Sequence, residues 1–378
     1  YFKLAVPHAD KNPKLAGIKA DCNGCHSPLA YVSGDNPPPK PEENSRANES
    51  VSCEVCHNIK GFEGDTPFNF NYVMEPGDTK FSSRKGKVDS PNHKIVALDL
   101  HKTGDFCGIC HNEKSSFGVW VKSTHLELKE GPYYAEGVVC QDCHMPDGPS
   151  KTAKMGARYE DAKMHLFNGA HDPGKIKGTV EIRITPERQE LVPGEPLLLT
   201  VTLYNQKTGH KFPTGSVEDR IVWLHMEAID EKGNVYHLPV DEKGFEGEEY
   251  TIAGEDLAYQ DMGVPLGIED FEGLRRETVP VGDRIFRMPY FDPQGRMTMM
   301  QWNTDSLGVD YRIGPRETKV ETYTFNLPYE IAPGTLTLRA EMKYRLLVKS
   351  VGEYLDVPEE EYTAMTVNTQ ETSVTIYP

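Results

Sequence analysis

No apolar run in this sequence approaches the ~18 residues that a membrane-spanning helix needs, so a transmembrane protein is not expected from the chain as given. Basic residues are in deficit: 41 Lys and Arg stand against 58 Asp and Glu, and the net charge of −17 argues against a general nucleic-acid binder. The chain also lacks a catalytic nucleophile triad, a phosphate-binding loop and a nucleotide-binding fingerprint. These absences exclude several common classes of enzyme and binding protein.

Cysteine is missing from the whole C-terminal half. All eight Cys precede residue 145, and residues 176–378 contain none. Charge divides at the same place, because residues 1–175 carry 21 basic and 23 acidic residues whereas residues 176–378 carry 20 and 35. At about 100–200 residues per domain, a chain of 378 residues predicts two or three domains. We place a boundary between residues 175 and 176.

The cysteines that are present form four C-x-x-C-H motifs, with no Cys left over. The motifs are Cys22-Asn-Gly-Cys25-His26, Cys53-Glu-Val-Cys56-His57, Cys107-Gly-Ile-Cys110-His111 and Cys140-Gln-Asp-Cys143-His144. This pattern attaches c-type haem: the two thiols bond to the vinyl groups, and the histidine that follows ligates the iron. The sequence therefore predicts four haem c groups, with the eight cysteines as their attachment points and the four motif histidines as their first iron ligands.

Two other uses of paired cysteines explain the pattern less well. A disulfide framework does not require a histidine after every pair. A structural zinc site needs two C-x-x-C pairs, or one pair and two histidines, for each metal ion. Haem attachment takes place outside the energy-transducing membrane, so we expect an exported protein, periplasmic or extracellular at the cell surface. The opening Tyr1-Phe2-Lys3-Leu4 is unlike a signal peptide, which indicates a processed chain.

The two halves predict an α+β fold. Residues 1–175 are rich in Gly, Pro, Asn and Asp, which indicates a tetrahaem domain of loops and short helices whose core includes the haems. Residues 176–378 alternate apolar and polar positions between Pro-Gly turns, as expected of an antiparallel, immunoglobulin-like β-sandwich used for docking or assembly. The predicted strands are Thr179–Thr185, Leu197–Tyr204, Ile221–Ile229 and Thr335–Tyr344, and residues 241–312 are predicted to form a loop-rich insertion.

Four six-coordinate irons need four further ligands, and nine histidines lie outside the motifs. Because supply exceeds demand, we expect two histidines on each iron. The candidate second ligands are His8, His93, His101, His165, His171 and His210. We expect one of His165 and His171 to serve, whereas His225 and His237 are expected to be ordinary polar residues of the sandwich. Ligation by Met74, Met145 or Met164 is the alternative, and it raises the potential of a haem.

These motifs resemble the multihaem c-type cytochromes related to tetrahaem cytochrome c554, in the subset with a C-terminal β-sandwich. The resemblance covers nearly the whole chain. It rests on Cys22-x-x-Cys25-His26-Ser-Pro, Cys53-x-x-Cys56-His57-Asn-Ile59, His93-Lys with Leu100-His101-Lys, Cys107-Gly-Ile-Cys110-His111-Asn112, Cys140-Gln-Asp-Cys143-His144-Met-Pro146, His165-x-Phe167-x-Gly-x-His171-Asp-Pro173 and Gly209-His210-Lys-Phe-Pro-Thr-Gly215. Many members have a further haem motif before the stretch that holds His8, and this sequence lacks it. The resemblance implies electron transfer, in some relatives through extracellular filaments.

A compact domain of 175 residues has a radius of gyration of roughly 16 Å, so four haems within it are neighbours. We expect an electron carrier or conduit without bond chemistry, whose partners are redox proteins or further copies of itself. The alternative is an oxidoreductase that reduces a small nitrogen or sulfur compound at one open iron. A third hypothesis places calcium at the acidic segments Gly244–Glu249 and Glu269–Glu272, although a solvated acidic surface is commoner.

Overall fold

The computed structural model describes residues 1–43, 45–85, 90, 92–151, 153–241, 257–261 and 274–378. They divide into two compact units. The first contains Tyr1–Asn168 and Trp302–Asp305, and the second contains Gly169–Gln301 and Ser306–Pro378. The short segment Trp302–Asp305 therefore lies inside the C-terminal half of the sequence but belongs to the first unit. No described helix has the length and apolar character that crossing a bilayer requires.

The first unit consists of short helices and small two-stranded sheets. Its helices are α1 (Ala5–Lys11), α2 (Ile18–His26), α3 (Pro28–Ser33), α4 (Cys53–Asn58), α5 (Gly104–His111), α6 (Thr124–Lys129), α7 (Pro132–Ala135) and α8 (Cys140–His144). Its strands are β1 (Ile59–Phe62), β2 (Tyr72–Met74), β3 (Thr79–Ser82), β4 (Lys94–Ala97), β5 (Asn112–Lys114), β6 (Trp120–Ser123), β7 (Asp147–Ser150) and β8 (Tyr159–Lys163). Consecutive strands pair, β3 with β4 in parallel and the others antiparallel.

Apolar packing in the first unit is local. One cluster joins Ala5 and Ala9 of α1 to Leu15 and Ile18. A second joins Val55, Ile59 and Ile109, and side chains such as Met74 and Phe106 pack against it. Val55 and Ile109 each occupy the position before the second cysteine of a motif. The apolar side of these motif helices thus faces a small core, against which Cys110 of the third motif also packs.

The second unit contains the longer strands. Its elements are α9 (Pro173–Ile176), β9 (Val180–Pro186), β10 (Glu190–Leu191), β11 (Pro196–Asn205), β12 (Ile221–Ile229), β13 (Val235–His237), β14 (Tyr259–Asp261), β15 (Leu274–Arg276), β16 (Arg284–Phe286), β17 (Tyr290–Phe291), β18 (Met297–Thr298), β19 (Ser306–Leu307), β20 (Thr318–Asn326), β21 (Gly334–Arg345), α10 (Lys349–Leu355) and β22 (Met365–Ile376). The larger sheet has the order β10-β22-β21-β12-β13, with β16 also paired to β12, and a second sheet has the order β20-β11-β9.

A single apolar core joins these two sheets. It takes Leu199 and Leu203 from β11, Met226 from β12 and Leu338 from β21, among 28 buried residues. Alternate residues of β11 are buried and more exposed, as a strand with one face on a core requires. The α+β class, with mostly antiparallel sheets, is confirmed.

The strands follow the predicted alternation closely. Strand β12 has the predicted bounds Ile221–Ile229, and β9, β11 and β21 differ from prediction by one residue at each end. Within the predicted insertion 241–312, the described residues form the short strands β14–β19. Residues 242–256 and 262–273, which include both predicted calcium segments, lie outside the described residues.

Candidate functional site

Each C-x-x-C-H motif lies on a helix, as predicted. The first and third motifs end α2 and α5, the second begins α4, and the fourth coincides with α8. Residues three and four apart share one side of a helix. Helical spacing therefore presents both thiols of a motif, and its histidine, to a single group beside the helix.

The thiols of different motifs come together in the first unit. Cys25 of the first motif neighbours Cys110 of the third, and Cys107 of the third neighbours Cys140 of the fourth. These contacts, together with burial, raise the pKa of Cys25 and of Cys107. The third motif is thus adjacent to both the first and the fourth.

The second motif joins the same group. Val55 of the second motif and Ile109 of the third belong to one apolar cluster. Burial, and to a lesser extent the neighbouring Cys110, raises the pKa of Cys56 to about 11. Burial likewise raises the pKa of Cys22 to about 11. All eight cysteines lie within the described residues, and none of them is in a disulfide.

His57, the motif histidine of α4, lies between two predicted second ligands. Its ring centroid is 6.1 Å from that of His101 and 6.2 Å from that of His165. His57 Nδ1 donates to Phe81 O at 2.6 Å, and His165 Nδ1 donates to Lys163 O at 2.9 Å. A metal-ligating histidine commonly donates one ring nitrogen to a carbonyl in this way, which orients the ring and presents the other nitrogen to the metal.

Distance and ring nitrogen together test whether these residues fit an iron. Two imidazoles on opposite sides of one metal have ring centroids about 6.3 Å apart, since each metal–nitrogen bond is about 2.0–2.1 Å. The separation of 6.2 Å between His57 and His165 agrees with that value. The thiol pairs and this histidine pair together fit covalently held haem.

His144 repeats the pattern of His57, because its Nδ1 donates to Asn168 O at 2.6 Å. His26 and His111, which end α2 and α5, have exposed side chains. The four motif histidines are therefore all placed in the first unit, on the helices that carry their cysteines.

His101 presents the opposite ring nitrogen. It lies on the 3₁₀ turn Asp99–Lys102, with its ring centroid 4.3 Å from that of Phe106. Its Nε2 donates to Ile59 O at 3.0 Å, which leaves Nδ1 as the acceptor nitrogen. Burial lowers the pKa of His101 and favours the neutral imidazole that metals bind. Ligation by His101 stays a prediction. If His101 bound a metal through Nε2, its hydrogen bond to Ile59 O would have to break.

His8 is buried on α1 and contacts the short segment from the C-terminal half. Trp302 Nε1 donates to His8 Nδ1 at 3.0 Å, so Nε2 of the neutral imidazole carries the proton. Burial, with a smaller effect of Lys11, lowers the pKa of His8. A protonated Nε2 has no lone pair for a metal, and ligation by His8 stays a prediction that requires the other tautomer.

The remaining predicted ligands occupy three different settings. His93 lies near the second motif, with its Nδ1 3.3 Å from Ser90 Oγ. The hydrogen bond from Lys80 is the main cause that lowers the pKa of Glu54 in that motif, and His93 lowers this pKa slightly further. His171 and His210 belong to the second unit. There His171 Nδ1 is 3.3 Å from Glu361 Oε2, and His210 Nδ1 donates to Lys211 O at 3.0 Å.

His125 was not among the predicted ligands, and the structure places it against the motifs. It is 2% exposed; Asn112 Nδ2 donates to its Nδ1 at 2.9 Å, and its Nε2 lies 3.1 Å from Asp105 Oδ1. A Cβ at Gly108 would stand 2.7 Å from His125 Nδ1, so only glycine fits between Cys107 and Ile109. A glycine inside a motif is the one sequence signal for this close approach, and it does not identify the partner.

Comparisons with known proteins agree with this site. Residues 92–183, which contain the third and fourth motifs, match the sequence model of the NapC/NirT cytochrome c family, N-terminal region. The chain is similar to a solved penta-heme cytochrome c552 from Thermochromatium tepidum, with a TM-score of 0.63 and 21% identity over 93% of this chain and 83% of that chain. The structural match shows that this chain shares the fold of that cytochrome, and the sequence match covers the region of the third and fourth motifs.

Other comparisons add nothing to this result. The sporulation control protein Spo0M from Bacillus subtilis matches with a TM-score of 0.21 and 10% identity, over 53% of this chain and 50% of that chain, which is too weak a likeness to support an argument. No curated protein matches the chain.

Proposed function

We propose that this protein is a tetrahaem c-type cytochrome that transfers electrons along a row of closely spaced haems. The observation that carries the proposal is the contact between thiols of different motifs, Cys25 with Cys110 and Cys107 with Cys140. Thiols of two different motifs that lie side by side would be bonded to two different haems. Because a haem macrocycle is larger than the distance between such thiols, the two haems would be immediate neighbours. Haem iron supplies one-electron chemistry when bound, and the chain sets spacing, ligation and burial.

The polypeptide's own part in this function is to hold the imidazoles in the neutral state and to orient one ring nitrogen towards the metal. We assign His26, His57, His111 and His144 as first axial ligands. His165 is the second ligand opposite His57, because its Nδ1 is engaged by a carbonyl and its Nε2 is the nitrogen presented. His93, His101, His210 and His8 are the candidates for the other irons, and His171 is the alternative to His165. Two histidines on each iron favour potentials below those of Met/His cytochromes c.

The proposal extends to location and partners. Covalent haem c implies export, so we propose a periplasmic or extracellular protein that exchanges electrons with redox proteins, or with copies of itself in a filament. The acidic second half, with 35 acidic against 20 basic residues over 176–378, favours basic partner surfaces.

A haem count and a ligand assignment test the proposal. The intact mass of the purified protein should exceed that of the polypeptide by four haem groups, and magnetic circular dichroism should show four low-spin, bis-histidine irons. His165→Ala should turn one iron high-spin and leave three unchanged, whereas the matched variant His171→Ala should leave all four low-spin if His165 is the ligand. Four low-spin irons in His165→Ala would overturn the His57–His165 pair, and fewer than four haems would overturn the tetrahaem count.

An enzyme with one open iron is the second candidate. The hydrogen bond from Trp302 to His8 Nδ1 favours it, because that contact withholds His8 from metal ligation. Reduced protein should then bind carbon monoxide at one iron with a shifted Soret band, and should reduce nitrite, hydroxylamine or a sulfur oxyanion. An unshifted Soret band under carbon monoxide excludes the open site and supports the electron carrier.

A further inference from the structure

Two histidines and one aspartate meet on the second unit, away from any cysteine in the sequence. His225 Nδ1 lies 3.0 Å from both carboxylate oxygens of Asp283, and His237 Nε2 lies 2.7 Å from Asp283 Oδ1. The two imidazole rings are nearly parallel, with centroids 5.2 Å apart. One donor atom from each residue lies within 4.8 Å of the other two.

Strand register explains why these three side chains converge. On one edge β12 pairs first with β16, in the register Leu224 to Arg284, and further along with β13, in the register Glu227 to His237. Asp283 immediately precedes β16 and so lies opposite His225. Residues 224, 226 and 228 of β12 point into the core, which leaves His225 on the outer face. The three residues are therefore held at the junction of two partner strands on one face of a sheet.

The charge around this cluster favours a cation. The Asp283 side chain is fully buried, and its oxygens bond to the two imidazoles, whereas His237 is 35% exposed and open to solvent. Glu227 lies 3.8 Å from His225 Nε2, and Glu341 of β21 is the register partner of His225.

We propose that His225, His237 and Asp283 bind a divalent transition-metal ion, with zinc as the best fit. Two imidazole nitrogens and one carboxylate oxygen are a three-ligand set that zinc uses in proteins, with a fourth position left to water. Ligand atoms on tetrahedral zinc stand about 3.3 Å apart, given bonds of about 2.0–2.1 Å. The two histidine–aspartate separations of 2.7–3.0 Å therefore need to open by only a few tenths of an ångström, and the two imidazole nitrogens lie within 4.8 Å of each other. The exposed His237 provides the route of entry.

The site is separate from haem ligation, so it is tested on the haem-loaded protein. Equilibrium dialysis against buffered micromolar free zinc, followed by elemental analysis, should give one zinc per chain for the wild type. His237→Ala and Asp283→Asn should each weaken zinc binding at least about tenfold, as loss of a ligand costs no less than loss of a residue that supports one. Glu371→Gln, an exposed carboxylate paired with Arg339 on the same sheet, is the matched control and should bind zinc as the wild type does.

The outcomes separate a metal site from a plain hydrogen-bonded triad. No zinc on the wild type at micromolar concentration overturns the proposal, as does unchanged affinity in His237→Ala. That variant decides the case even if Asp283→Asn fails to fold, because His237 is at the surface and its removal leaves the buried carboxylate paired with His225. Equal losses in Glu371→Gln and His237→Ala would indicate general binding to an acidic surface and would also overturn the site.

Discussion

The two units of this chain differ in the apolar packing that stabilises each of them. The second unit has one apolar core of 28 buried residues drawn from both sheets. Among the described residues of the first unit, one apolar cluster has four buried residues and packs against Cys22, and another has three and packs against Cys110. Burial of apolar area is the main favourable term in folding. The second unit thus contains its own source of stability, whereas we expect the first to depend on the haems proposed for it.

The sharpest test of this difference removes haem attachment. In a chain with all eight motif cysteines changed to serine, we expect the first unit to unfold and the second to stay folded. Limited proteolysis should then digest residues up to about the unit boundary at 168/169 and leave a resistant C-terminal fragment. Far-UV circular dichroism should retain the strand signal. A protease-resistant first unit in the haem-free chain would contradict the comparison.

Two neighbouring leucines on β11 test the core of the second unit. Leu199 is 3% exposed and Leu198 is 44% exposed, so the pair differs in burial but not in side chain. Leu199→Ala should lower the free energy of unfolding of this unit by about 2–5 kcal/mol. Leu198→Ala should cost less than about 1 kcal/mol. Denaturant unfolding followed by circular dichroism measures both, and the Soret spectrum should be unchanged in each; equal effects would refute the assigned core.

A buried asparagine tests the polar packing of the first unit. Asn112 Nδ2 donates to Pro67 O at 2.9 Å and contacts His125 Nδ1, while its Oδ1 accepts from Leu126 N. Asn112→Ala leaves buried groups unsatisfied and should cost about 1–3 kcal/mol in unfolding monitored at the Soret band. The exposed Asn92→Ala is the control, expected within about 0.5 kcal/mol of wild type. A neutral Asn112→Ala would show that the haems alone stabilise this region.

The smallest expected effect is a pH dependence confined to the second unit. Asp283 raises the pKa of His225 in the folded state. This contribution to stability is fully present below the unfolded-state pKa of about 6.5 and is lost as pH rises through the folded-state value. With a chelator present, wild type should therefore lose stability relative to His225→Gln as pH rises above neutrality. Parallel pH profiles of the two proteins, measured by thermal unfolding of the strand signal, would contradict it.

Regular patterns in the sequence were sufficient to predict the secondary-structure elements that carry those patterns. Period-two alternation over Ile221–Ile229 predicted β12 with its bounds, since one face of the strand packs on the core. The composition of residues 1–175 predicted short helices, and each of the four C-x-x-C-H motifs lies on one. Neither inference needed a partner from elsewhere in the chain.

Contacts between distant segments were decided by the tertiary structure alone. The contact of Trp302 with His8, the packing of His125 on Gly108, and the meeting of His225, His237 and Asp283 each join residues that no local pattern relates. His225 and His237 looked like ordinary polar residues of the sandwich, because the alternating pattern shows which side of a strand a histidine is on but not which side chains it meets. The sequence by itself predicted which residues would hold haem and determined where the strands run, because those properties are local. Which imidazole nitrogen faces a metal, and which side chains share a site, depends on hydrogen bonds and register between segments far apart in the chain.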